Sequence, residues 1–289
     1  MKFWQVIAMT DIDQLPILAK RAEELGFEGV TLGDHLVTFA TQYETYDYSS
    51  DNVVIWYPET HWPDPWVQIA ALAQITTTLK FLTTIYVLPM RDPFNAAKAI
   101  STAARISDDR IIIGTGIGWQ ASEFDIIGQS FTNRGRRTDE MLEVMRLLMS
   151  GEMVEFHGEF YDFPRLQMSP GVKRPVPVMV GGYSEAAYRR AARNDGWIGA
   201  QNEIDELPPI IAALRRERAA LGKTDGDPFD IILALKQPTA DNFRRAEEMG
   251  VTRIFRNAWL DANGRASVMT LEQKLADMEQ FAERFLVSA

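Results

Sequence analysis

The stretch RIIIGTGIGWQASE, Arg110 to Glu123, opens on Ile111, Ile112 and Ile113 and then thins to glycine at Gly114, Gly116 and Gly118. A short β-branched run of this kind reads as a strand buried on both faces, as in a parallel sheet. The alternating glycines strip the backbone of side chains where the strand should end, so the turn is open to close approach by a flat ligand or is simply a tight exit from the strand.

Working outward from this strand, the chain alternates strands with helices. Before it come a strand at Phe3–Met9, a helix at Gln14–Leu25 stopped by Gly26, a strand at Phe27–Leu32, a helix at Pro65–Thr78, a strand at Phe81–Leu88 and a helix at Pro93–Ile106. After it come a helix at Arg134–Met149, a strand at Val178–Val180, a helix at Ser184–Arg193 and a strand at Asp195–Ala200. A helix at Glu206–Leu221, a strand at Phe229–Leu235, a helix at Asn242–Met249, a strand at Thr252–Phe255 and a last helix at Leu271–Phe285 complete the pattern. Between Glu152 and Pro177 the run VEFHGEFYDF breaks the rhythm and reads as a β-hairpin inserted at about 152–177. Repeated strand-then-helix units without a Pro-, Gly- or Ser-rich linker predict a single (β/α)8 TIM barrel over residues 1–289; a doubly wound open sheet is the alternative.

Composition narrows the function classes. The 289 residues are 46% hydrophobic and 24% charged, enough to build a sizeable globular core. The absence of cysteine excludes disulfides, thiolate catalysis and cysteine-ligated metal centres. With 40 acidic against 30 basic residues the net charge is −10, which disfavours nucleic acid as a partner. MKFWQVIAMTD reads as a first strand and not as a signal peptide, and no run reaches membrane-spanning length, so a cytoplasmic protein with a small-molecule partner and no membrane is expected.

In a barrel the C-terminal ends of the strands converge on one mouth. That brings together Thr10, Asp34 with His35, Tyr86 to Leu88, Gly116 to Trp119, Gly181 to Ser184, Gln201, Lys236 and Asn257. His35 beside Asp34 is the best general acid or base on offer, or else the two cap the following loop. Gly181-Gly182-Tyr183-Ser184, just before a helix, suits a phosphate through free N–H groups and the helix dipole; it is also an ordinary helix start. Phe39 to Trp62 is rich in aromatics and fits a lid over a conjugated ligand. Lys236 raises a Schiff-base rival, and Asp34 with Glu123 a glycosidase pair. No metal site is expected, since His61 and His157 stand alone.

These residues resemble the luciferase-like monooxygenase superfamily, which holds flavin- and deazaflavin-dependent oxidoreductases on a (β/α)8 barrel. The resemblance runs from Ala19 to Gly199 and is carried by AKRAEELGFEGVTLGDH, TTIYVLPMRDPFNAAKAISTAARIS, RIIIGTGIGWQASEFDIIGQSFTNRGRRTDEML, VEFHGEFYDF and VPVMVGGYSEAAYRRAARNDGWI. It implies a cofactor ring across the mouth, backed by Thr84, Ile85 and Tyr86 with a non-proline cis peptide between Thr84 and Tyr86. It also implies contacts from Gly116, Ile117 and Gly118, and a phosphate near Gly181, Gly182, Tyr183 and Ser184. Asp34 would lie at the ring's polar edge and His35 would donate or accept the proton, with Tyr43, Trp56, Trp62 and Trp119 lining the substrate pocket.

LGDH, GIGW and the run from Arg134 to Glu140 are similar to the subgroup that uses the deazaflavin coenzyme F-420 (8-hydroxy-5-deazaflavin), with FMN the alternative cofactor. The implied activity is hydride transfer between coenzyme F-420 and a small organic substrate; a homodimer is expected. An FMN-dependent monooxygenase and, from another class, a non-catalytic flavin-binding barrel are the alternatives. One departure is Trp119, which stands where the sugar-phosphate dehydrogenases of the family carry a glutamate, so that substrate is doubtful.

Overall fold

The computed structural model describes residues 1–49, 51–256, 258–261 and 263–286. The chain runs β1 (Lys2–Val6), α1 (Leu15–Glu24), β2 (Gly29–Leu32), α2 (Pro65–Ala73), β3 (Lys80–Thr83), β4 (Tyr86–Val87) and α3 (Pro93–Ser107). It continues through β5 (Ile111–Gly116), α4 (Ala121–Ile126), α5 (Arg134–Met149), β6 (Met153–His157), β7 (Asp162–Gln167), β8 (Val178–Gly181) and α6 (Glu185–Ala192). It closes with β9 (Gly196–Asn202), α7 (Leu207–Ala219), β10 (Asp230–Leu235), α8 (Ala240–Met249), β11 (Arg253–Arg256) and α9 (Leu271–Phe285).

The main sheet has nine strands in the order β3-β2-β1-β11-β10-β9-β8-β5-β4, and β3 also pairs with β5, which closes the ring. Since β3 and β4 are two halves of one broken strand, the nine make an eight-stranded barrel, and its pairings are all parallel. This is the (β/α)8 fold, not the open sheet. The break falls at a cis Thr84–Ile85 peptide bond, within the interval the family resemblance implied. Two threonines stitch the interrupted ladder to β5: Thr83 Oγ1 donates to the Gly114 carbonyl at 2.8 Å and Thr115 Oγ1 to the Tyr86 carbonyl at 3.1 Å. The antiparallel pair β6 and β7 forms the hairpin read from VEFHGEFYDF.

Local chemistry sets the helix starts. Asp64 and Asp92 each precede a proline, and each carboxylate accepts two backbone N–H groups at 2.9–3.0 Å, opening α2 and α3. Thr270 and Gln273 form a capping box on α9. The barrel interior is filled by Trp4, Leu82, Ile112, Met179, Ile198 and Ile232, while the larger apolar layer lies between strands and helices. Gly114 belongs to this packing: a Cβ there would overlap the Thr83 carbonyl oxygen and come within 2.6 Å of Ile198 Cδ1. At the opposite end from the mouth, Glu28 accepts from Trp4 Nε1, Lys80 Nζ and Arg253 Nε at 2.8–3.0 Å, tying four strand ends together. Among the described residues no helix is long and apolar enough to cross a membrane.

Candidate active site

The mouth has an aliphatic floor. Ile85, beside the cis bond, packs on the barrel's central apolar cluster. A Cβ on Gly116 would overlap Ile85 Cδ1, and one on Gly181 would lie 3.3 Å from Ile85 Cγ2. The two glycines from β5 and β8 therefore make a slot for one side chain, which itself faces the mouth. Gly118 differs: its φ of +78° is a left-handed turn, and a Cβ there would press on Val87 and Phe124.

Asp34, at the end of β2, is 6% exposed. Its Oδ2 accepts the Val87 N–H at 2.9 Å and its Oδ1 accepts Arg91 Nη2 at 2.6 Å. Burial pushes the carboxyl above the ordinary carboxylate range, with Arg91 and the Val87 N–H pulling the other way. Arg91 also lies 5.0 Å over the Tyr86 ring. Both oxygens of Asp34 are thus spent on holding the β4 end.

His35 faces the other way, into an aromatic cluster. Its ring centroid is 4.4 Å from Trp56, 4.9 Å from Trp62 and 6.3 Å from Trp119. Tyr46 completes the group at 5.5 Å from Trp56 and 5.1 Å from Trp119, and burial raises its phenol pKa so that it stays neutral. Nδ1 of His35 is 3.2 Å from Oε2 of Glu123, a residue of α4 that is only 2% exposed. Oε1 of the same carboxylate accepts the Leu36 N–H at 2.8 Å.

The aromatic segment and α4 hold each other. Glu123 reaches from α4 to the backbone after His35, and Glu44 of the segment accepts from Ser122 N at 2.7 Å and Ser122 Oγ at 3.1 Å. A third tie comes from the stretch after β11, where Arg265 Nη2 donates to Asp51 at 2.6 Å.

The β8–α6 turn offers a different chemistry. Ser184 caps α6 through its hydroxyl, 3.2 Å from Ala187 N. Gly182 has a φ of +116° and its carbonyl accepts from Trp197 Nε1 at 2.8 Å. Tyr183 is committed as well: its hydroxyl accepts the Ala200 N–H at 2.6 Å and donates to Asn202 Oδ1 at 2.9 Å, and burial pushes its pKa up to about 12. The backbone N–H groups of Tyr183 and Ser184 have no partner among the described residues, which leaves them to an anion. Arg134, at the start of α5, donates to the carbonyls of Gly118 and Phe131 at 3.1 and 2.9 Å and has no carboxylate partner among the described residues.

The structure sets His35 among Trp56, Trp62 and Trp119 and seats Ile85 between Gly116 and Gly181, while Asp34 turns to the Val87 N–H and Arg91. Tyr43 is not in the aromatic cluster. It is 70% exposed and packs edge-on against Phe39, and Tyr46 takes the place assigned to it. Lys236 lies half-exposed near Glu203 at 3.9 Å, a poor setting for a Schiff-base amine. Glu123 is bonded to His35 and the loop backbone, so it does not form a glycosidase pair with Asp34. Asn257 lies outside the described residues. Sequence reasoning missed Arg91, Tyr46 and the pairing of Glu123; only the LPMRDP run, with its arginine just past a strand end, carried a readable hint.

A luciferase-like monooxygenase profile matches residues 5–284, and the chain belongs to that family. An uncharacterised protein of Mycobacterium tuberculosis is 34% identical over 287 residues, covering 99% of both chains. An F420-dependent glucose-6-phosphate dehydrogenase of Kineococcus radiotolerans is 27% identical, over 96% of this chain and 80% of that one. Among solved structures, a monooxygenase of Streptomyces bottropensis superposes with a TM-score of 0.76 at 20% identity, covering 100% of this chain and 99% of the other.

Proposed function

We propose that this protein transfers a hydride between coenzyme F-420 and a small organic substrate, with His35 moving the accompanying proton. The observation that carries the reading is the setting of His35: a titratable ring at a strand end of the mouth, backed by a buried carboxylate and walled by Trp56, Trp62 and Trp119. The likeness to an F-420-dependent dehydrogenase over 96% of this chain supports the choice of coenzyme.

The residues present fit such a cofactor. Ile85 between Gly116 and Gly181 offers a flat apolar support for a ring, with Thr84, Ile117 and Gly118 beside it; the Tyr86 ring, expected there too, is instead buried edge-on against Trp66 of α2. The N–H groups of Tyr183 and Ser184, unpaired among the described residues, fit a phosphate. The cofactor supplies the hydride chemistry; the protein binds it, excludes water with the aromatic segment and exchanges a proton at His35. Asp34 acts in this reading by fixing the strand end through Arg91 and Val87. Trp56, Trp62, Trp119 and Tyr46 bound the substrate space. These walls present indole and phenol faces, which favours an uncharged substrate over a sugar phosphate.

FMN is the second reading, because a single phosphate at a helix start serves either molecule. Titration by intrinsic tryptophan fluorescence decides between them: tighter binding of F-420 than of FMN is expected, and equal or reversed affinities overturn the deazaflavin choice. A barrel that binds the cofactor without turnover is distinguished by incubating the loaded protein with candidate alcohols and ketones and following the cofactor's absorbance. We also read residues 1–289 as one barrel unit acting as a homodimer, which light scattering tests.

A further inference from the structure

We infer that Glu123 is the positioning residue that fixes the tautomer of His35, presenting Nε2 to the substrate as the proton acceptor. The inference rests on the reading of His35 as the acid or base. It begins from the division of labour between the two carboxylate oxygens. Oε1 accepts the Leu36 N–H at 2.8 Å, with Val37 N more distant at 3.5 Å, while Oε2 is the oxygen nearest Nδ1 of His35 at 3.2 Å. A carboxylate offers acceptors only, so the hydrogen in the second contact belongs to the imidazole. A neutral ring carries one N–H; with that N–H at Nδ1, Nε2 holds the lone pair. Nε2 has no hydrogen-bond partner among the described residues, and the ring is flanked by Trp56 and Trp62.

The carboxylate is itself held in place. Glu123 is buried, its helix is tied at the N-terminus by Glu44 through Ser122, and the Leu36 N–H fixes one oxygen next to the histidine's own backbone. The geometry therefore locks the imidazole from one side and leaves its other nitrogen to the mouth. A resting histidine set this way takes a proton from a hydroxyl, and the resulting imidazolium sits beside a carboxylate that stabilises it.

A tie that only anchored the loop would need the Leu36 contact and nothing from Nδ1. Glu123→Gln separates the two roles. The amide oxygen can keep the Leu36 N–H, which turns the amide NH2 toward Nδ1 and makes that nitrogen an acceptor. The variant should then hold the other tautomer, with the hydrogen on Nε2.

The test is nitrogen-15 NMR of histidine-labelled protein at a pH where the ring is neutral; with three histidines in the chain, His35 is assigned by its loss in His35→Asn. In free histidine the Nε2–H form predominates, so a structural contact alone would leave it so. The wild type is expected to show Nδ1–H in excess by about tenfold, a ratio within reach of one charge-assisted hydrogen bond, and Glu123→Gln to reverse it. Nε2–H in the wild type overturns the inference, and so does an unchanged tautomer in a Glu123→Gln variant with native circular dichroism. The wild-type spectrum decides alone if the variant does not fold. No substrate enters this experiment, so its failure is separate from that of the catalytic reading, which rests on the turnover of His35→Asn.

Discussion

Asp34 and Arg91, 57 residues apart, meet at 2.6 Å at the point where the broken third strand of the barrel leaves the mouth. The pair joins the end of β2 to the segment after β4, and the Val87 N–H shares the same carboxylate. Because both groups are largely withdrawn from water, removing one leaves the other buried and unpaired, a loss of about 3–5 kcal/mol. Arg91→Met should lower stability by that order in urea unfolding, and Asp34→Asn with Arg91→Met together should recover part of it. If the single variant loses less than about 1 kcal/mol, the pair is not what fixes this end of the strand.

Glu23 makes a pH-dependent contribution at the opposite end of the barrel, just before β3. Burial alone would raise its carboxyl, but the N–H groups of Thr78, Leu79 and Thr77 and the Thr78 hydroxyl outweigh it and lower the pKa to about 2. The folded value lies below the unfolded one, so the stabilisation is present above about pH 4.5 and is lost as the pH falls toward 2. The group is partly solvated, so Glu23→Gln should cost about 1 kcal/mol at neutral pH. Urea midpoints of wild type and variant should converge between about pH 5 and pH 2.5; a constant gap assigns the effect to packing.

The turn after β8 gives a third expectation. Gly182, with its φ of +116°, stands beside the N–H groups of Tyr183 and Ser184, which have no partner among the described residues. Gly182→Val should weaken cofactor binding several-fold or more, since the branched side chain disfavours that backbone and crowds the helix start. Unchanged affinity in a folded variant would put the phosphate elsewhere.

How much of this was legible beforehand follows from what kind of contact each feature depends on. α9 was read to the residue, because its apolar spacing and cap are local. α4 was not read at all. It is six residues long, its N-cap residue Gln120 makes no side-chain cap, and the group that does satisfy its N-terminus is Glu44, 78 residues earlier. The break in strand three was invisible in the apolar pattern of Phe81 to Leu88 and came only from the family likeness. Gly114, Gly116 and Gly118 looked alike in sequence but serve interior packing, the Ile85 slot and a left-handed turn respectively. The same limit explains Tyr43 and Tyr46: which tyrosine of an irregular segment turns inward is settled by Trp56 and Trp119, not by spacing.

The proposed function turns on His35. Proton transfer by a positioned side chain contributes about 100-fold to 10,000-fold to rate. Asparagine in its place keeps an N–H that can still donate to Glu123 and so preserves the tie between α4 and the loop, but it has no nitrogen that accepts and releases a proton. His35→Asn should therefore leave cofactor affinity and thermal stability close to wild type and lower single-turnover hydride transfer into that range. A histidine that merely fixed the loop would give the reverse: weaker binding or a lower melting temperature, with turnover per bound cofactor unchanged. Profiles from about pH 5 to about pH 9 add a second discriminator, because a ring that exchanges the proton imposes a limb on the rate and the limb disappears with it. The reactants are the reduced or oxidised cofactor at saturation and an alcohol or ketone found by screening uncharged aromatic and aliphatic compounds, the class that the indole walls of Trp56, Trp62 and Trp119 favour. Retention of the limb in His35→Asn would end the assignment of His35 as the acid or base, whatever the tautomer it adopts beside Glu123.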